Sequence, residues 1–237
     1  MKTTSLSIIL PTFKEKDSII RLIMAIHDTL EGYKHEILIV DDNSPDGTYQ
    51  AVVDAQLPYA RGILRTTDRG FAKSIRCGIE NANGDVIIIM DSDFNHQPKY
   101  LPFMVDSLRY YDCVSASRFV YGGLMEPRSR HLMSWIFNLF VRGMTGGKVT
   151  DNLYGFFAIR KDVLFKTNFD QIFWGYGDYG IRLIYFLQKI NSSILQFPAE
   201  NGTRIAGVGN SRLLKVFAQY FREVCILTYK IRIKKNV

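Results

Sequence analysis

Short apolar runs alternate with amphipathic segments through the first part of the chain. The apolar runs, rich in Ile, Leu and Val, predict strands at 6–10, 36–40, 62–65 and 86–90. The segments between them have helical spacing and predict helices at 17–30, from 48 onwards and at 72–82. Strands that alternate with helices form right-handed βαβ crossovers. We therefore expect an α/β domain over 1–212, with a mostly parallel sheet flanked by helices, and a helical segment at 213–237.

Three of the predicted strands end on polar residues. The first is followed by Pro-Thr-Phe-Lys-Glu at 11–15, the second by Asp41 and Asp42, and the last by Asp-Ser-Asp at 91–93. Such residues are ordinary in turns, so a solvated turn explains any one of these sequences. Open α/β sheets bind ligands at the carboxyl ends of their strands. The three segments together therefore predict a binding crevice.

The strand predicted at 86–90 ends on two carboxylates one residue apart, Asp91 and Asp93. In an extended segment, residues two apart point to the same side, so both carboxylates can face one hard cation. Asn95 or His96 would complete or orient the shell, and Mg²⁺ or Mn²⁺ is the expected ion. Taken alone, an Asp-rich turn explains the pattern equally well.

Net charge and cysteine content limit the candidate partners and indicate the cellular compartment. The chain has 30 Lys and Arg against 23 Asp and Glu, a net charge of +7, which predicts an anionic partner such as a nucleotide or a phospholipid surface. Nucleic acid is not expected, because no recognised binding motif or aromatic stacking platform accompanies the charge. Three widely spaced cysteines indicate a reducing, cytoplasmic setting. We expect neither a signal peptide nor a membrane span, since the apolar runs are short.

Four ordered motifs, at 10–15, 39–48, 83–85 and 90–98, resemble those of inverting nucleotide-sugar glycosyltransferases of the GT-A (Rossmann-like) fold. The sequence is most similar to the polyprenyl-phosphate (dolichyl-phosphate) mannose synthase group. The similarity continues through shorter segments at 117–119, 130–134, 149–151, 155–156 and 204–212. It therefore extends over nearly the whole chain.

The resemblance implies roles for matching positions. It implies a nucleoside pocket lined by Pro11, Phe13, Glu15, Val40 and Asp42, in which the two acids accept hydrogen bonds from base or ribose. It implies a metal held against the donor diphosphate by Asp91 and Asp93, with Ser92 and Asn95 beside them. Arg118 and Arg204 are the candidates for neutralising the charge that grows on the leaving diphosphate.

The segment 118–148 is the expected acceptor side. It contains five basic residues against one acid, Glu126, and predicts an amphipathic helix with a broad apolar face. Such a helix suits an acceptor with an anionic head and an apolar tail. The alternative is a core helix with a solvated basic edge, and this alternative is favoured for most of the aromatic residues. Arg130 and Ser134, four apart on one helical face, are the predicted ligands of an acceptor phosphate.

A Gly-rich loop at 201–212 resembles the lid of the synthases, with Arg204 and Arg212 near its ends. It departs from the usual pattern, because two extra residues separate Gly207 from Ser211 and Arg212 stands where a lysine is common. The segment that follows, 213–237, reads as a basic amphipathic helix. It would lie on an anionic membrane surface or dock on the protein's own sheet, and an integral-membrane partner subunit is a further way to hold the protein at a membrane.

The resulting expectation is a metal-dependent hexosyltransferase on the cytoplasmic face of a membrane. Its donor would be a nucleotide diphosphate sugar, GDP-mannose or a UDP-sugar, and its acceptor a polyprenyl phosphate. A phosphate acceptor attacks without a general base, so Asp178 would orient the site and act as a base only toward a hydroxyl. The alternatives are a same-fold enzyme acting on a sugar hydroxyl in a surface polysaccharide, or a non-catalytic nucleotide-sugar-binding subunit.

Overall fold

The computed structural model describes residues 4–201 and 213–234, with the side chains of the last helix described at 218–229. In this part of the chain, seven strands form one sheet in the order β3-β2-β1-β4-β6-β5-β7. The strands are β1 Ser5–Thr12, β2 Lys34–Asp41, β3 Ala60–Leu64, β4 Val86–Ile89, β5 Cys113–Ser117, β6 Phe157–Arg160 and β7 Ile194–Pro198. All neighbouring pairs are parallel except those that involve β6.

Helices cover both faces of this sheet. They are α1 Ile19–Thr29, α2 Thr48–Asp54, α3 Phe71–Glu80, α4 Leu101–Ser107, α5 Arg128–Thr145, α6 Lys161–Leu164, α7 Phe169–Ile172, α8 Tyr179–Lys189 and α9 Leu213–Lys234. The four strands and three helices predicted in the first half of the chain are all present. The α/β class and the mostly parallel sheet are therefore confirmed.

Alternation along the central strands divides the core into two layers. Ile8 and Ile88 face the layer that contains α1 and α4, whereas Ile9 and Ile89 face the layer that contains α3 and α8. All four side chains are buried, as expected for the centre of a parallel sheet. A sheet covered on both faces exposes only its edges and its loops. The binding surface is therefore confined to those positions.

The second half of the chain departs from simple alternation. β6 is inserted between β4 and β5 and runs antiparallel to both. Asp85, immediately before β4, accepts hydrogen bonds from the Ser5 amide at 3.0 Å and the Ser5 hydroxyl at 2.8 Å, which stabilises the turn before the strand. Within the described residues, no helix is long and apolar enough to cross a bilayer. The three cysteines are all free thiols.

Close packing of α3 on the sheet yields a stability prediction at Gly78. A Cβ at this position would overlap Ile9 Cγ2 and lie 3.1 Å from Val40 Cγ2. We expect Gly78→Ala to lower the free energy of unfolding by about 1–3 kcal/mol, because the core there has no room for a methyl group. Gly143 of α5 is a matched control, since a Cβ there has no neighbour within 4 Å. Gly143→Ala should be neutral or stabilising by up to about 1 kcal/mol. Equal effects of the two variants in urea unfolding would contradict the packing argument.

Candidate active site

The carboxyl ends of β1, β2 and β4 meet at one edge of the sheet and are joined by hydrogen bonds. The Ser92 hydroxyl donates to the Pro11 carbonyl at 3.0 Å, which connects the β4 end to the β1 end. The Asp42 amide donates to the Thr12 carbonyl at 3.1 Å, which connects the β2 end to the same segment. The three polar segments therefore meet at one edge of the sheet, where the sequence predicts a binding crevice.

The segment that carries Asp91 and Asp93 is a compact bend. β4 ends at Ile89, and Phe94 has a left-handed φ of 67°, so the alternation of an extended strand does not set the directions of the two carboxylates. Asp93 is buried and accepts hydrogen bonds from the backbone amide of Asn95 at 3.0 Å and from its side-chain amide at 2.8 Å. The Asp91 side chain is 35% exposed. Asn95 thus supports Asp93, and Asp91 is the more accessible of the two acids.

A buried imidazole holds this bend in place. His96 Nδ1 accepts a hydrogen bond from the Asp91 amide at 2.8 Å, so the proton is assigned to Nε2, which donates to the Tyr154 carbonyl at 2.9 Å. Burial lowers the pKa of His96 to about 4, which favours the neutral ring near pH 7. The ring also stacks on Phe156, with centroids 4.8 Å apart. His96 therefore orients the bend from beneath.

The carboxylates of the bend fit a divalent cation that also binds phosphate oxygens. Mg²⁺ is commonly held by one or two carboxylates together with substrate phosphates, and Mn²⁺ takes similar oxygen ligands. Among the residues that the structure describes, no group of three or more His, Cys, Asp and Glu side chains could hold a metal ion. Asp91 and Asp93 would therefore share the cation with oxygens of a bound substrate or of water.

Phe13 provides an exposed aromatic surface in the crevice. Its side chain is 48% exposed, and Lys14 Nζ and Arg69 Cζ each lie 5.5 Å from the ring centroid. An exposed ring flanked by cations suits a planar base followed by phosphates. Pro11 and Val40 are buried in the sheet, and the Val40 side chain packs toward α3. Those two predicted pocket residues lie beneath the crevice, so Val40 could offer a nucleoside only its backbone.

The two carboxylates predicted to accept from a nucleoside are buried and already accept from protein donors. Glu15 accepts from the Ser18 hydroxyl at 2.9 Å. Asp42 accepts from Arg65 Nη1 at 2.6 Å, the Ser74 hydroxyl at 2.7 Å and the Gly70 amide at 2.7 Å. Asp42 thus fixes the loop that carries Arg69 against the end of β2.

Arg118, directly after β5, forms a buried bidentate ion pair with Asp151. Its Nε donates to Oδ2 at 2.7 Å and its Nη2 to Oδ1 at 2.9 Å, and the residues are 7% and 1% exposed. Burial alone would lower the pKa of the guanidinium, but the charge of Asp151 and its hydrogen bonds, with a smaller contribution from Asp91, together outweigh burial and raise it. The Arg118 charge is therefore fixed within electrostatic range of Asp91. Its predicted role, to neutralise a leaving diphosphate, stays a prediction.

A groove of about 560 Å³ opens beside Arg118. Its walls combine three basic side chains, Arg118, Arg128 and His131, with apolar side chains that include Leu132 and Trp135. A lining that combines basic groups with apolar walls suits a ligand with an anionic head and an apolar tail. The groove lies within 118–148, the segment predicted as the acceptor side, and its role in binding an acceptor stays a prediction.

The predicted acceptor-phosphate pair, Arg130 and Ser134, is not part of the lining of this groove. Arg130 is exposed, and Ser134 is buried on the inward face of α5. Their role as phosphate ligands stays a prediction. The groove itself offers Arg128 and His131 as basic groups next to Arg118.

Asp178 is fully buried and bound to cationic and amide donors. Arg182 Nη1 pairs with one oxygen of Asp178, and the Tyr176 amide donates to the other at 2.8 Å. Arg182 also donates through Nε to the Ile172 carbonyl at 2.9 Å, and its guanidinium lies 3.8 Å from the Trp174 ring centroid. Burial lowers the pKa of Arg182 from its usual value, and the charge of Asp178 opposes that shift. This geometry favours an orienting role for Asp178.

Two predicted phosphate ligands, Arg204 and Arg212, lie outside the described residues, together with most of the Gly-rich loop. Sequence reasoning missed other residues that the structure brings to the site: Arg65, Arg69, His131 and Asp151. The Arg69-Gly70 pair precedes a helix at the carboxyl end of a strand, which is a usable signal for a ligand-facing loop. Asp151 gave no signal for its partner, because 33 positions separate it from Arg118.

A family model agrees with this geometry. The model described as Glycosyl transferase family 2 matches residues 7–166, which include the three strand ends, the Asp91–Asp93 bend, the groove and Asp151. The chain belongs to glycosyl transferase family 2. The family resemblance found in the motifs is therefore confirmed, and so is the assignment of the enzyme as a glycosyltransferase.

Two relatives of this glycosyltransferase have names that specify an acceptor. A dolichol-phosphate mannosyltransferase from Pyrococcus furiosus is 29% identical over 225 residues, which are 92% of this chain and 62% of the relative. An undecaprenyl-phosphate mannosyltransferase from Micrococcus luteus is 33% identical over 199 residues, which are 80% of each chain. The chain thus spans about three fifths of the length of the archaeal relative.

Solved structures share the fold of this glycosyltransferase. The glucosyl-3-phosphoglycerate synthase from Mycobacterium tuberculosis, in complex with Mn²⁺, UDP and phosphoglyceric acid, has a TM-score of 0.71 and 20% identity, covering 97% of this chain and 78% of that one. The same synthase with Mg²⁺ and UDP has a TM-score of 0.70 and 22% identity, covering 97% of this chain and 79% of that one. At this identity the likeness shows the fold alone, and it confirms the GT-A architecture.

Proposed function

We propose that this family 2 glycosyltransferase moves one hexose from a nucleotide diphosphate sugar to a polyprenyl phosphate, with inversion at the sugar carbon and with Mg²⁺ or Mn²⁺ as cofactor. One observation carries the proposal: Arg118, held by Asp151, lines the basic, apolar-walled groove and is also within electrostatic range of Asp91 in the Asp91–Asp93 bend. That arrangement supports a diphosphate site beside a site for an amphipathic anion. The names of the two relatives, both of which specify a polyprenyl phosphate, support the same acceptor class.

On the donor side, the chain's own residues bind and orient the nucleotide. Phe13 offers its ring to the base, and Lys14 and Arg69 beside it offer charge to the phosphates. Asp91 and Asp93 would hold the cation, which neutralises diphosphate charge as the bond to the sugar breaks. Arg118, fixed by Asp151, stabilises the same growing charge without having to move. These contacts suit guanine and uracil nucleotides alike, so GDP-mannose and UDP-sugars are both candidate donors.

On the acceptor side, the proposed nucleophile is a phosphate oxygen. A phosphate monoester already carries between one and two negative charges near pH 7, so it needs no general base. The buried pairing of Asp178 with Arg182 is consistent with a site that lacks a mobile base at this position. The phosphate would lie near Arg118, Arg128 and His131, with the first isoprene units along the apolar walls.

The acceptor implies a place for the protein in the cell. A polyprenyl chain resides in a bilayer, so we infer that the protein works as a peripheral protein on the cytoplasmic face of a membrane. The basic C-terminal segment 213–237 would contribute to this attachment. An integral-membrane partner subunit would be a second way to keep the enzyme near its acceptor.

A donor screen tests the proposal. Purified protein with Mn²⁺ or Mg²⁺ is incubated with each common nucleotide sugar, and nucleoside diphosphate release is measured with a short polyprenyl phosphate, with the matching polyprenol, and without lipid. We expect release from one donor that depends on the lipid phosphate and not on the polyprenol. Release with polyprenol, or with neither lipid, would favour a hydroxyl acceptor. Nucleotide binding without release under any condition would favour a non-catalytic subunit.

A further inference from the structure

Helix α5 exposes an apolar stripe and buries a side that is partly polar. Leu132, Trp135, Ile136 and Leu139 recur at the spacing of a single helical stripe, and each is between 48% and 58% exposed. Met133 borders this stripe and is 49% exposed. We call these five residues the α5 outer face. A surface helix of a soluble domain normally turns such a stripe inward.

The inward side of α5 explains why the apolar stripe is exposed. Ser134 and Asn138 are both buried there, together with Phe137 and Val141. The Asn138 side chain accepts a hydrogen bond from the Asn152 amide at 2.7 Å and donates to the Ser134 carbonyl at 2.9 Å. The first of these bonds ties α5 to the loop that carries Asp151. The helix therefore cannot rotate to bury its outer face without leaving buried amide groups unpaired.

Helix α9 extends the outer face. Tyr220, Val224 and Leu227 of α9 pack into a cluster with the inward residues of α5. Phe221 of α9 stays 52% exposed and stacks on Phe140 of α5, with ring centroids 4.9 Å apart. An exposed aromatic ring is thereby placed at the edge of the α5 outer face.

The charges around this face favour one occupant. Arg118 is neutralised by its buried pair with Asp151. The other basic residues within 118–148 are Arg128, Arg130, Arg142 and Lys148, against one acid, Glu126. Arg222 of α9 is exposed beside Phe221. A second copy of the chain would bring an equally basic rim against this one and be repelled. Anionic lipid headgroups are attracted to it instead, while their acyl region accepts the apolar stripe.

We propose that the α5 outer face, with Phe221, inserts into the surface of an anionic lipid leaflet. Leu132 and Trp135 belong both to this face and to the wall of the groove that begins at Arg118. Docking in this orientation brings the groove to the lipid surface, so a lipid chain can enter it without crossing water. The consequence for the reaction rests on the proposed function, whereas the docking itself does not.

Flotation with vesicles that contain neither donor nor polyprenyl phosphate tests the docking alone. We expect the full chain to bind vesicles of phosphatidylcholine with 30 mol% phosphatidylglycerol and to bind pure phosphatidylcholine vesicles more weakly. The double variant Ile136→Asn/Leu139→Asn should bind at least about tenfold more weakly, because two apolar side chains lose their burial in lipid. The matched control, Met24→Asn/Val53→Asn, removes two similarly exposed apolar side chains from α1 and α2 and should bind within about twofold of wild type.

A fluorescence measurement keeps the proposal testable if a double variant is unstable. The chain has two tryptophans, Trp135 on the outer face and the half-buried Trp174. Vesicles with brominated acyl chains should quench the wild type, and Trp135→Phe should lose most of that quenching. Absence of vesicle binding by the wild type, or binding equal in the α5 and control variants, would overturn the proposal. Dimerisation that Ile136→Asn/Leu139→Asn abolishes, without vesicle binding, would assign this face to a second copy.

The proposed function and the proposed docking surface can be refuted independently of each other. Transfer to a short, water-soluble polyprenyl phosphate requires the active site and not the membrane surface. If the α5 double variant keeps this activity but no longer binds vesicles, both ideas stand. Vesicle binding without any transfer would refute the function and leave the docking surface in place.

Discussion

Replacing Asp93 by Asn should lower kcat by about 10³-fold, which corresponds to about 4 kcal/mol of lost transition-state stabilisation. The substitution removes one of the two carboxylate charges available for the cation at the end of β4. Asp93 is buried and receives two hydrogen bonds from Asn95, so its carboxylate is already oriented in the folded protein. The measurement is steady-state nucleoside diphosphate release over a range of Mn²⁺ concentrations. Asp91→Asn should show a loss of similar size.

Asp162→Asn provides the control for both variants. Asp162 is an exposed carboxylate in the first turn of α6, where it pairs with the exposed Arg160. Its removal should change kcat by less than about twofold, because an exposed pair contributes little and lies outside the crevice. A kcat for Asp93→Asn within a few-fold of wild type at saturating Mn²⁺ would show that the bend does not hold a catalytic cation.

Asp151→Asn should reduce the free energy of unfolding by about 3–5 kcal/mol, since it leaves the Arg118 guanidinium buried without its counter-charge. Apart from Asp151, the guanidinium donates to Met125 Sδ at 3.5 Å, a weak acceptor, and lies over the rings of Phe119 and Tyr154. Chemical denaturation measures the stability change. Donor turnover measured below the melting temperature should also fall, because Arg118 would no longer be held beside the carboxylates.

The Arg160–Asp162 pair is again the matched comparison. It has the same two residue types and the same two-point contact, at 3.2 and 3.1 Å, but both side chains are about half exposed. Breaking it should cost less than about 1 kcal/mol. If Asp151→Asn and Asp162→Asn destabilise the protein equally, burial does not determine the strength of the Arg118 pair.

Much of the fold follows from periodicity in the first half of the chain. The apolar run predicted as a strand at 86–90 is β4, and the run predicted at 36–40 lies inside β2. β6 is difficult to predict from the sequence, because a strand of four residues has no distinctive period. The local sequence also does not indicate that this strand runs antiparallel between two others. The position of β6 is set by its long-range partners Val86–Ile89 and Cys113–Ser115.

The site was predictable where it lies along one chain segment and unpredictable where it is assembled across segments. The Asp91–Asp93 pair could be read directly, because a buried strand ends beside it. The Arg118–Asp151 pair could not, because neither residue identifies its partner from spacing. For α5, the helical period predicts an apolar stripe, and its aromatic residues were expected mostly in the core. Phe137 is buried as expected, but Trp135 is exposed. The period alone does not indicate which side of a helix faces the solvent.

The linkage in the reaction product tests the central claim most directly. The donor found in the screen is incubated with a short polyprenyl phosphate, and the lipid product is purified and examined by phosphorus and proton NMR. We predict a phosphodiester whose phosphorus couples to the anomeric proton of the sugar, with the opposite anomeric configuration to the donor. A product in which the phosphate remains a monoester and the sugar is attached to a hydroxyl would contradict the claim that the lipid phosphate is the acceptor.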